Sequence, residues 1–356
     1  MKGRGLSPKI SRGEQGIGGS ALQASTESLW GGGTGLSYPG SISVVIPSFN
    51  HAAYIEQCVE SVLRQDRRVD EIIVVDDGST DDTHSRLTRF RSRVRIDLGH
   101  HVGLRANVAR GLAQASGDYV SILASDDELT PGACRILAHV LDRHPRVGLV
   151  YGEVCSVDKD GTTIQGRRDE RPIGQQADPI PLIAKNFISA PAAMARRRAL
   201  LGVPAPRQMY CGDWEWWLSL MIVGGWDIYG VPDVVAKYRR HEGSLSTAAR
   251  LSRERAALDM FTDLGARAKD SPPAVKKALS AAAYRQQEHL AWLELEEGHF
   301  DESRRWFAMV VRQPRIPPTA VAAGSMFARL PWLYQTWSRR RHSPKAGRGD
   351  FSKSNL

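Results

Sequence analysis

Two pairs of adjacent acidic residues carry the strongest chemical signal in the sequence. Asp76 and Asp77 form one pair, Asp126 and Asp127 form the other, and each pair lies at the end of an apolar run of strand length. Carboxylates are costly to desolvate without a partner. Hard cations such as Mg²⁺ and Mn²⁺ bind carboxylate oxygens together with ligand phosphates. The pairs therefore indicate a metal and diphosphate site, although the first pair alone also suits capping of the next helix.

Two further polar positions lie in the second half of the chain. Asp213 opens a tryptophan-rich segment, where it fits either a helix N-cap or a general base beside a stackable acceptor surface, and both interpretations stay open. Glu215 is expected to be a surface acid of the same helix. His241 lies beside two arginines, Arg239 and Arg240, in a polar, turn-prone segment. Guanidinium groups suit phosphate oxygens, and a neutral imidazole also suits a metal ion.

The elements that must position these residues alternate between strand and helix patterns. Strands are predicted near residues 43–47, 71–75, 94–97, 119–123 and 147–151, with helices at 52–64, from 79, at 104–115 and at 131–142. This alternation predicts a doubly wound, mostly parallel sheet with helices on both faces. Ligands of such sheets bind at the carboxyl ends of the strands, so both acidic pairs are expected to face one crevice.

The chain divides into four predicted regions. Residues 1–40 contain eleven glycines and form a disordered leader, residues 41–247 form the sheet domain, residues 248–337 form an α-helical C-terminal region, and residues 338–356 form a basic flexible tail. Within the second region a loop is predicted near residues 158–178.

Charge and composition restrict the classes of protein. The net charge is +9, but residues 1–40 carry +2, the tail 338–356 carries +5 and the remainder only +2, which disfavours nucleic-acid binding. Four cysteines without a CxxC spacing favour neither zinc nor disulfides. No apolar run is long enough to span a bilayer, and no secretory signal is recognised, so a cytoplasmic location is expected.

One C-terminal segment has two open interpretations. Residues 326–334 are aromatic and apolar and are followed by Arg339, Arg340 and Arg341. The segment either packs on the helical region with a solvated tail, or contacts an anionic membrane at its inner face.

Taken in order, these segments resemble inverting family 2 glycosyltransferases with the GT-A fold. The resemblance covers about residues 41–247. It rests on motifs in register: Val45-Ile46-Pro47-Ser48-Phe49-Asn50, Val75-Asp76-Asp77-Gly78-Ser79-Thr80-Asp81, Gly103-Leu104-Arg105-Ala106-Asn107, Gly117-Asp118-Tyr119-Val120 leading to Ser125-Asp126-Asp127, Gly212-Asp213-Trp214, and Tyr238-Arg239-Arg240-His241.

The resemblance implies a role for each matching residue. The catalytic base is Asp213, and the metal candidates are Asp126, Asp127 and His241. The implied donor-binding residues are Pro47, Ser48, Phe49, Asn50, Asp77, Asn107, Asp126, Arg240 and His241. The family's usual Asp-x-Asp is here Ser125-Asp126-Asp127, so both acids stay candidates for the direct metal ligand.

The function implied is metal-dependent, inverting transfer of a sugar. The donor is a nucleotide sugar, with a UDP-sugar favoured, the cation is Mn²⁺ or Mg²⁺, and the acceptor is a glycan or a lipid-linked saccharide in cell-surface polysaccharide or glycan synthesis. The alternative is a non-catalytic sugar-nucleotide-binding or scaffold protein on the same fold. A nucleotidyltransferase and a nicotinamide-dependent oxidoreductase are rejected, because no glycine-rich loop follows the first strand.

Overall fold

The computed structural model describes residues 40–164, 171–207, 210–241 and 250–311, together with 326 and 328–330. The predicted leader, apart from Gly40, and the predicted basic tail lie outside the described residues. So does most of the segment 326–341, and its membrane contact stays a prediction.

The first half of the chain forms parallel strands connected by helices, as predicted. Buried, β-branched runs form the strands because both faces of a parallel sheet are covered. In β1, for example, Val45 pairs with Ile73 of the second strand. The elements are β1 (Ile42–Ser48), α1 (Ile55–Leu63), β2 (Glu71–Asp76), α2 (Thr83–Leu87), β3 (Arg95–Leu98), α3 (Leu104–Gln114), β4 (Tyr119–Ile122), β5 (Glu128–Leu129), α4 (Ala133–Arg143) and β6 (Val147–Val157).

The second half completes the sheet with strands of both directions. Its elements are β7 (Gly174–Gln176), α5 (Ile180–Ala184), β8 (Ala193–Arg196), α6 (Arg197–Leu201), α7 (Gly212–Ile222) and β9 (Asp227–Arg239). The strand order is β3-β2-β1-β4-β8-β6-β9-β5, with β7 on β9. Strands β5, β7 and β8 run antiparallel to their neighbours and the other described strands run in one direction, which confirms a mostly parallel sheet.

Three strands of this half differ from the sequence-based expectation. Strand β7 lies inside the predicted loop 158–178, and neither β8 nor the long β9 was predicted. Gly230 and Pro232 interrupt the pattern of β9, and its pairing with β6 contains register shifts. Such irregular strands lack a clean two-residue period, so tertiary pairing decides their conformation.

Three helices follow in the described part of the chain, and the first two share a core with the sheet, whereas the third packs in a small separate cluster with the end of the second. They are α8 (Arg250–Arg267), α9 (Pro273–Glu296) and α10 (Phe300–Val311), with Gly298 at φ +83° between the last two. Met260 of α8 and Leu279 of α9 belong to the same buried cluster as Val45 of β1. Neighbouring residues of β1 point to the opposite face, where α1 and α4 cover a second cluster. The helical C-terminal region is therefore confirmed, and it packs against α5 and α7, in the buried cluster that also covers one face of the sheet. Among the described residues, no helix combines the length and apolar character needed to cross a bilayer.

Candidate active site

The loop after β1 presents one exposed aromatic ring at the carboxyl edge of the sheet. Pro47 is buried and pairs with Val75, and Ser48 is also buried, with an Oγ that has no hydrogen-bond partner among the described residues. Phe49 is 39% exposed, and its ring lies 4.3 Å from that of His101, centroid to centroid. The Phe49–His101 pair forms an aromatic surface of the kind on which a nucleobase stacks.

Asn50 connects the loops that follow β1 and β2. Its backbone is in the left-handed region, with φ at +53°. Its N–H donates to Ser79 Oγ at 2.8 Å, and its side-chain Oδ1 accepts from the N–H of Thr80 at 2.8 Å. The side-chain amide of Asn50 therefore fixes the shape of the cleft edge.

The two acids at the carboxyl end of β2 are both buried, and each accepts hydrogen bonds from the backbone of a different loop. Asp76 accepts hydrogen bonds from the N–H groups of Gly78 and Ser79, at 3.0 and 2.8 Å. Asp77 accepts from the N–H groups of Val102 and Gly103, both at 2.9 Å. His101 Nδ1 also lies 2.9 Å from Asp77 Oδ2. Asp77 thereby anchors the loop that carries His101.

Asn107 is almost fully buried, so its side chain offers little surface to a bound donor. It is 1% exposed, and its Nδ2 donates to the carbonyl of Val75 at 2.7 Å. Its Oδ1 has no hydrogen-bond partner among the described residues. The structure thus shows Asn107 supporting the end of β2, and its predicted donor contact stays a prediction.

Three side chains, one from each of the loops that follow β1, β4 and β9, are arranged as a candidate metal site. One ligand atom each from His51, Asp126 and His241 lies within 4.8 Å of the other two. His241 Nε2 lies 3.0 Å from Asp126 Oδ2, and His51 Nδ1 lies 2.7 Å from Ser125 Oγ. Two imidazoles and a carboxylate form a donor set that suits Mn²⁺ and other transition metals. These residues therefore fit a divalent cation.

Electrostatics keeps one of these imidazoles in the metal-binding form. Burial lowers the pKa of His51, and the charge of nearby Asp126 opposes this change only in part. A neutral ring at neutral pH follows, and only the neutral ring binds a metal.

Asp127 does not belong to this candidate metal site. It is 2% exposed, whereas the side chain of Asp126 is 14% exposed, and Asp127 Oδ1 accepts from the N–H of Arg239 at 2.9 Å. Burial, followed by the charge of Asp126, raises the pKa of Asp127. The more exposed acid therefore lies at the candidate metal site, and the buried one joins β9 to the strand ends.

Arg239 is the buried centre of this junction. Its Nε donates to the carbonyl of Asp126 at 2.9 Å, and one terminal nitrogen lies 2.8 Å from Glu128 Oε1. Its guanidinium also lies over the ring of Tyr54, 4.9 Å from the centroid. The neighbouring Arg240 is exposed, and its backbone N–H donates to Val157.

Asp213 lies in the first turn of α7 and is half-buried. The N-cap is Cys211, not Asp213. Asp213 Oδ1 accepts from the N–H of Trp214 at 2.8 Å, and Oδ2 lies 3.5 Å from Asn186 Nδ2. Burial raises the pKa of the Asp213 carboxyl. A carboxylate with a raised pKa and few partners has the character of a general base.

Glu215 is not a surface acid, so that expectation was wrong. It is 2% exposed, and its Oε2 accepts from the N–H of Arg207 at 2.9 Å. Residues 215–221 of α7 are all buried, so this helix has no free polar face there.

Two residues near the site, His51 and His101, were missed from the sequence. Arg239 was expected to suit phosphate oxygens together with Arg240, and the structure places it in a buried contact with Glu128. A histidine directly after the first strand end is a weak signal that could have indicated His51. His101 and Arg239 depend on contacts that the local sequence does not specify.

Solved structures with the same fold identify the architecture. S. aureus TarS 1–349 in complex with UDP-GlcNAc aligns with a TM-score of 0.59 and 17% identity, over 81% of this chain and 87% of that one. Mannosyltransferase PcManGT from Pyrobaculum calidifontis, in complex with GDP-Man and Mn²⁺, aligns with a TM-score of 0.52 and 21% identity, over 85% and 84%. The fold is that of the GT-A glycosyltransferases.

Sequence comparison identifies the family. The family described as Glycosyl transferase family 2 matches residues 43–202. The uncharacterized protein MT1568 of Mycobacterium tuberculosis is 30% identical over 236 residues, which are 61% of this chain and 72% of that protein. The chain belongs to glycosyl transferase family 2.

A relative with a named activity is similar over a shorter stretch. The GalNAc(5)-diNAcBac-PP-undecaprenol beta-1,3-glucosyltransferase of Campylobacter jejuni is 36% identical over 125 residues, which are 34% of this chain. The chain covers only 40% of that protein, and 59% of the uncharacterized protein Rv1520 of M. tuberculosis.

Proposed function

We propose that this protein transfers a sugar from a nucleoside diphosphate donor to an acceptor hydroxyl, with inversion at the anomeric carbon. The observation that carries the proposal is the joint presence of a candidate metal site at His51, Asp126 and His241 and a carboxyl of raised pKa at Asp213. A scaffold protein would need neither, which disfavours the non-catalytic alternative.

The proposed reaction is a single displacement. Asp213 accepts the proton of the acceptor hydroxyl while the hydroxyl oxygen attacks the anomeric carbon from the face opposite the leaving nucleoside diphosphate. Asp126, His241 and His51 would hold a divalent cation, whose positive charge would stabilise the leaving diphosphate. Of the two acids 126 and 127, we assign the direct metal contact to Asp126, because Asp127 already binds the Arg239 backbone.

The proposed donor is a UDP-sugar, and the proposed acceptor is a glycan or a lipid-linked saccharide. TarS aligns as its UDP-GlcNAc complex, and the C. jejuni relative is named for an undecaprenol-linked substrate. Phe49 and His101 provide the surface for the base, and Asp77 holds the loop on which His101 lies. A lipid-linked acceptor would place the reaction at the cytoplasmic face of a membrane.

Donor binding is tested by thermal unfolding with UDP-glucose, UDP-N-acetylglucosamine, UDP-galactose and GDP-mannose, each with and without Mn²⁺. We expect one UDP-sugar to raise the melting temperature only when Mn²⁺ is present, because a ligand at 100 times its Kd stabilises the folded state by about 2.7 kcal/mol. Release of UDP in the same samples measures slow transfer to water. If none of these nucleotides changes the melting temperature with Mn²⁺, the proposed function is wrong.

The role of His51 is tested by metal preference. In His51→Asn we expect the activity with Mn²⁺ to fall more than the activity with Mg²⁺, because imidazole favours transition metals while Mg²⁺ prefers oxygen ligands. The measurement is the ratio of kcat/KM with Mn²⁺ to kcat/KM with Mg²⁺. His139→Asn, on α4, serves as the matched control. An unchanged ratio in His51→Asn would remove this residue from the metal site.

A further inference from the structure

A cavity of about 420 Å³ lies between the sheet domain and the C-terminal helices. Its walls come from α5, α7, α8 and α9, and this volume is within the range of about 300–1,000 Å³ of small-molecule sites. The family match ends at residue 202, before three of the four helices that line the cavity.

Two tryptophan side chains of the cavity are held in fixed orientations. Trp214 Nε1 donates to the carbonyl of Leu182 at 2.7 Å, and the Trp214 ring meets Phe261 edge to face with centroids 5.1 Å apart. Trp292 meets Phe307 in the same way at 5.3 Å. Rigid indole rings offer a large apolar face at little entropic cost to a ligand.

The polar side of the cavity is formed by one face of α9. Arg285, Glu288 and Trp292 are three and four residues apart, so they lie on one side of the helix, and Gln286 lines the cavity beside them. The side chains of Arg285, Gln286 and Glu288 form no hydrogen bond or ion pair with any residue that the structure describes. Burial also raises the pKa of Glu288. The charge of His289, which also lines the cavity, opposes this shift only in part. A half-buried carboxyl that forms no hydrogen bond with a described residue favours a polar ligand.

The cavity is adjacent to the proposed base. Trp214 directly follows Asp213, and Ala184 of the cavity wall lies two residues before Asn186, whose amide faces Asp213. The two segments that hold the base therefore also form one side of the cavity. The exposed Arg285 leaves the opposite rim open to solvent.

We propose that this cavity binds one sugar unit of the acceptor, stacked on Trp292 and hydrogen-bonded through its hydroxyls to Arg285, Gln286 and Glu288. The proposal rests on the proposed glycosyl transfer and adds the class of acceptor group and its location. An alkyl chain is disfavoured as the occupant, because it would cover the half-buried amide of Gln286 and carboxyl of Glu288 without forming hydrogen bonds to them.

The test is saturation-transfer NMR on the full chain with the methyl and octyl β-glycosides of glucose, galactose, N-acetylglucosamine and N-acetylgalactosamine, and with octanol. We expect at least one methyl glycoside to bind, and Arg285→Ala and Glu288→Gln each to weaken its binding about tenfold, as for hydrogen bonds to charged groups. Trp292→Ala should abolish it. Glu297→Gln is the matched control, because it makes the same change at the end of the same helix, outside the cavity, and should bind as the wild type does.

The outcomes separate this proposal from the proposed function. Binding of no methyl glycoside, unchanged binding in both Arg285→Ala and Glu288→Gln, or equal competition by octanol would each overturn the sugar site. Stabilisation of the wild type by a UDP-sugar with Mn²⁺ is measured independently and would leave the transferase proposal standing. Glu288→Gln preserves side-chain shape, so the test does not depend on whether Trp292→Ala folds.

Discussion

Asp213→Asn is expected to lower kcat by about 10²- to 10⁴-fold, the range typical of a lost general base. The amide cannot accept the proton of the acceptor hydroxyl, but it keeps the size of the carboxyl and its acceptor oxygen for the N–H of Trp214. Donor affinity, measured by titration with Mn²⁺ and the UDP-sugar, should remain close to that of the wild type. A wild-type kcat in this variant would contradict the assignment of the base.

The same variant should not lose stability, which separates a chemical from a structural role. Burial raises the pKa of Asp213 above its value in the unfolded chain. The folded state then binds the proton more tightly than the unfolded chain does. The contribution of Asp213 to the free energy of unfolding therefore falls as the pH rises from the pKa of the unfolded chain to that of the folded state, and it stays unfavourable at higher pH. Asp213→Asn removes this unfavourable contribution, and its melting temperature at neutral pH should equal or exceed that of the wild type. A large decrease would show that Asp213 stabilises the fold.

The raised pKa also has a consequence for the pH dependence of the reaction. A base must be unprotonated, so kcat should fall as the pH decreases through the pKa of Asp213. Burial places this loss at a higher pH than the ordinary value of 3.8 would. An acidic limb near that ordinary value would indicate a solvent-exposed base instead.

Asp126→Asn is expected to weaken the binding of Mn²⁺ by more than about 100-fold. Even changes to residues that only hydrogen-bond to a metal ligand lower the metal affinity by about 10- to 100-fold. Asp126 supplies the carboxylate of the candidate metal site that it forms with His51 and His241. Mn²⁺ titration of activity and isothermal calorimetry with UDP measure the effect. High Mn²⁺ concentrations should restore part of the activity.

Two variants make this result specific to Asp126. Asp127→Asn keeps an oxygen for the Arg239 backbone N–H and lies outside the candidate metal site, so its Mn²⁺ affinity should change much less. Asp160→Asn removes an exposed negative charge and serves as the control for net charge. If Asp127→Asn rather than Asp126→Asn abolishes the Mn²⁺ dependence, the assignment of the two acids is reversed.

Local sequence was sufficient to predict the parallel half of the sheet and the carboxyl ends at which the acids lie. The buried runs of β1, β2 and β4 have strand length, and glycine and charge at their ends restrict where each can stop. Residue type and spacing singled out Asp126, His241 and Asp213 as candidates, and the family resemblance assigned each of them a role.

The orientation of Asp126 and Asp127 depended on a contact that local sequence does not contain. Asp127 accepts its hydrogen bond from the backbone N–H of Arg239, 112 residues later in the chain. Arg239 lies at the end of a strand that is interrupted by glycine and proline. The same strand end brings His241 to Asp126. Glu215 illustrates the same principle, since burial of α7 on nearly every side is decided by the helices and strands that pack around it.

The most direct test of the account is a crystal structure with Mn²⁺ and UDP, in which the anomalous signal of manganese locates the ion. We predict that the ion binds Asp126 and His241 and contacts the diphosphate, that the uracil stacks at Phe49, and that the Asp213 carboxyl faces the same cleft. Manganese bound away from Asp126, or Asp213 in a pocket separate from the nucleotide, would contradict it.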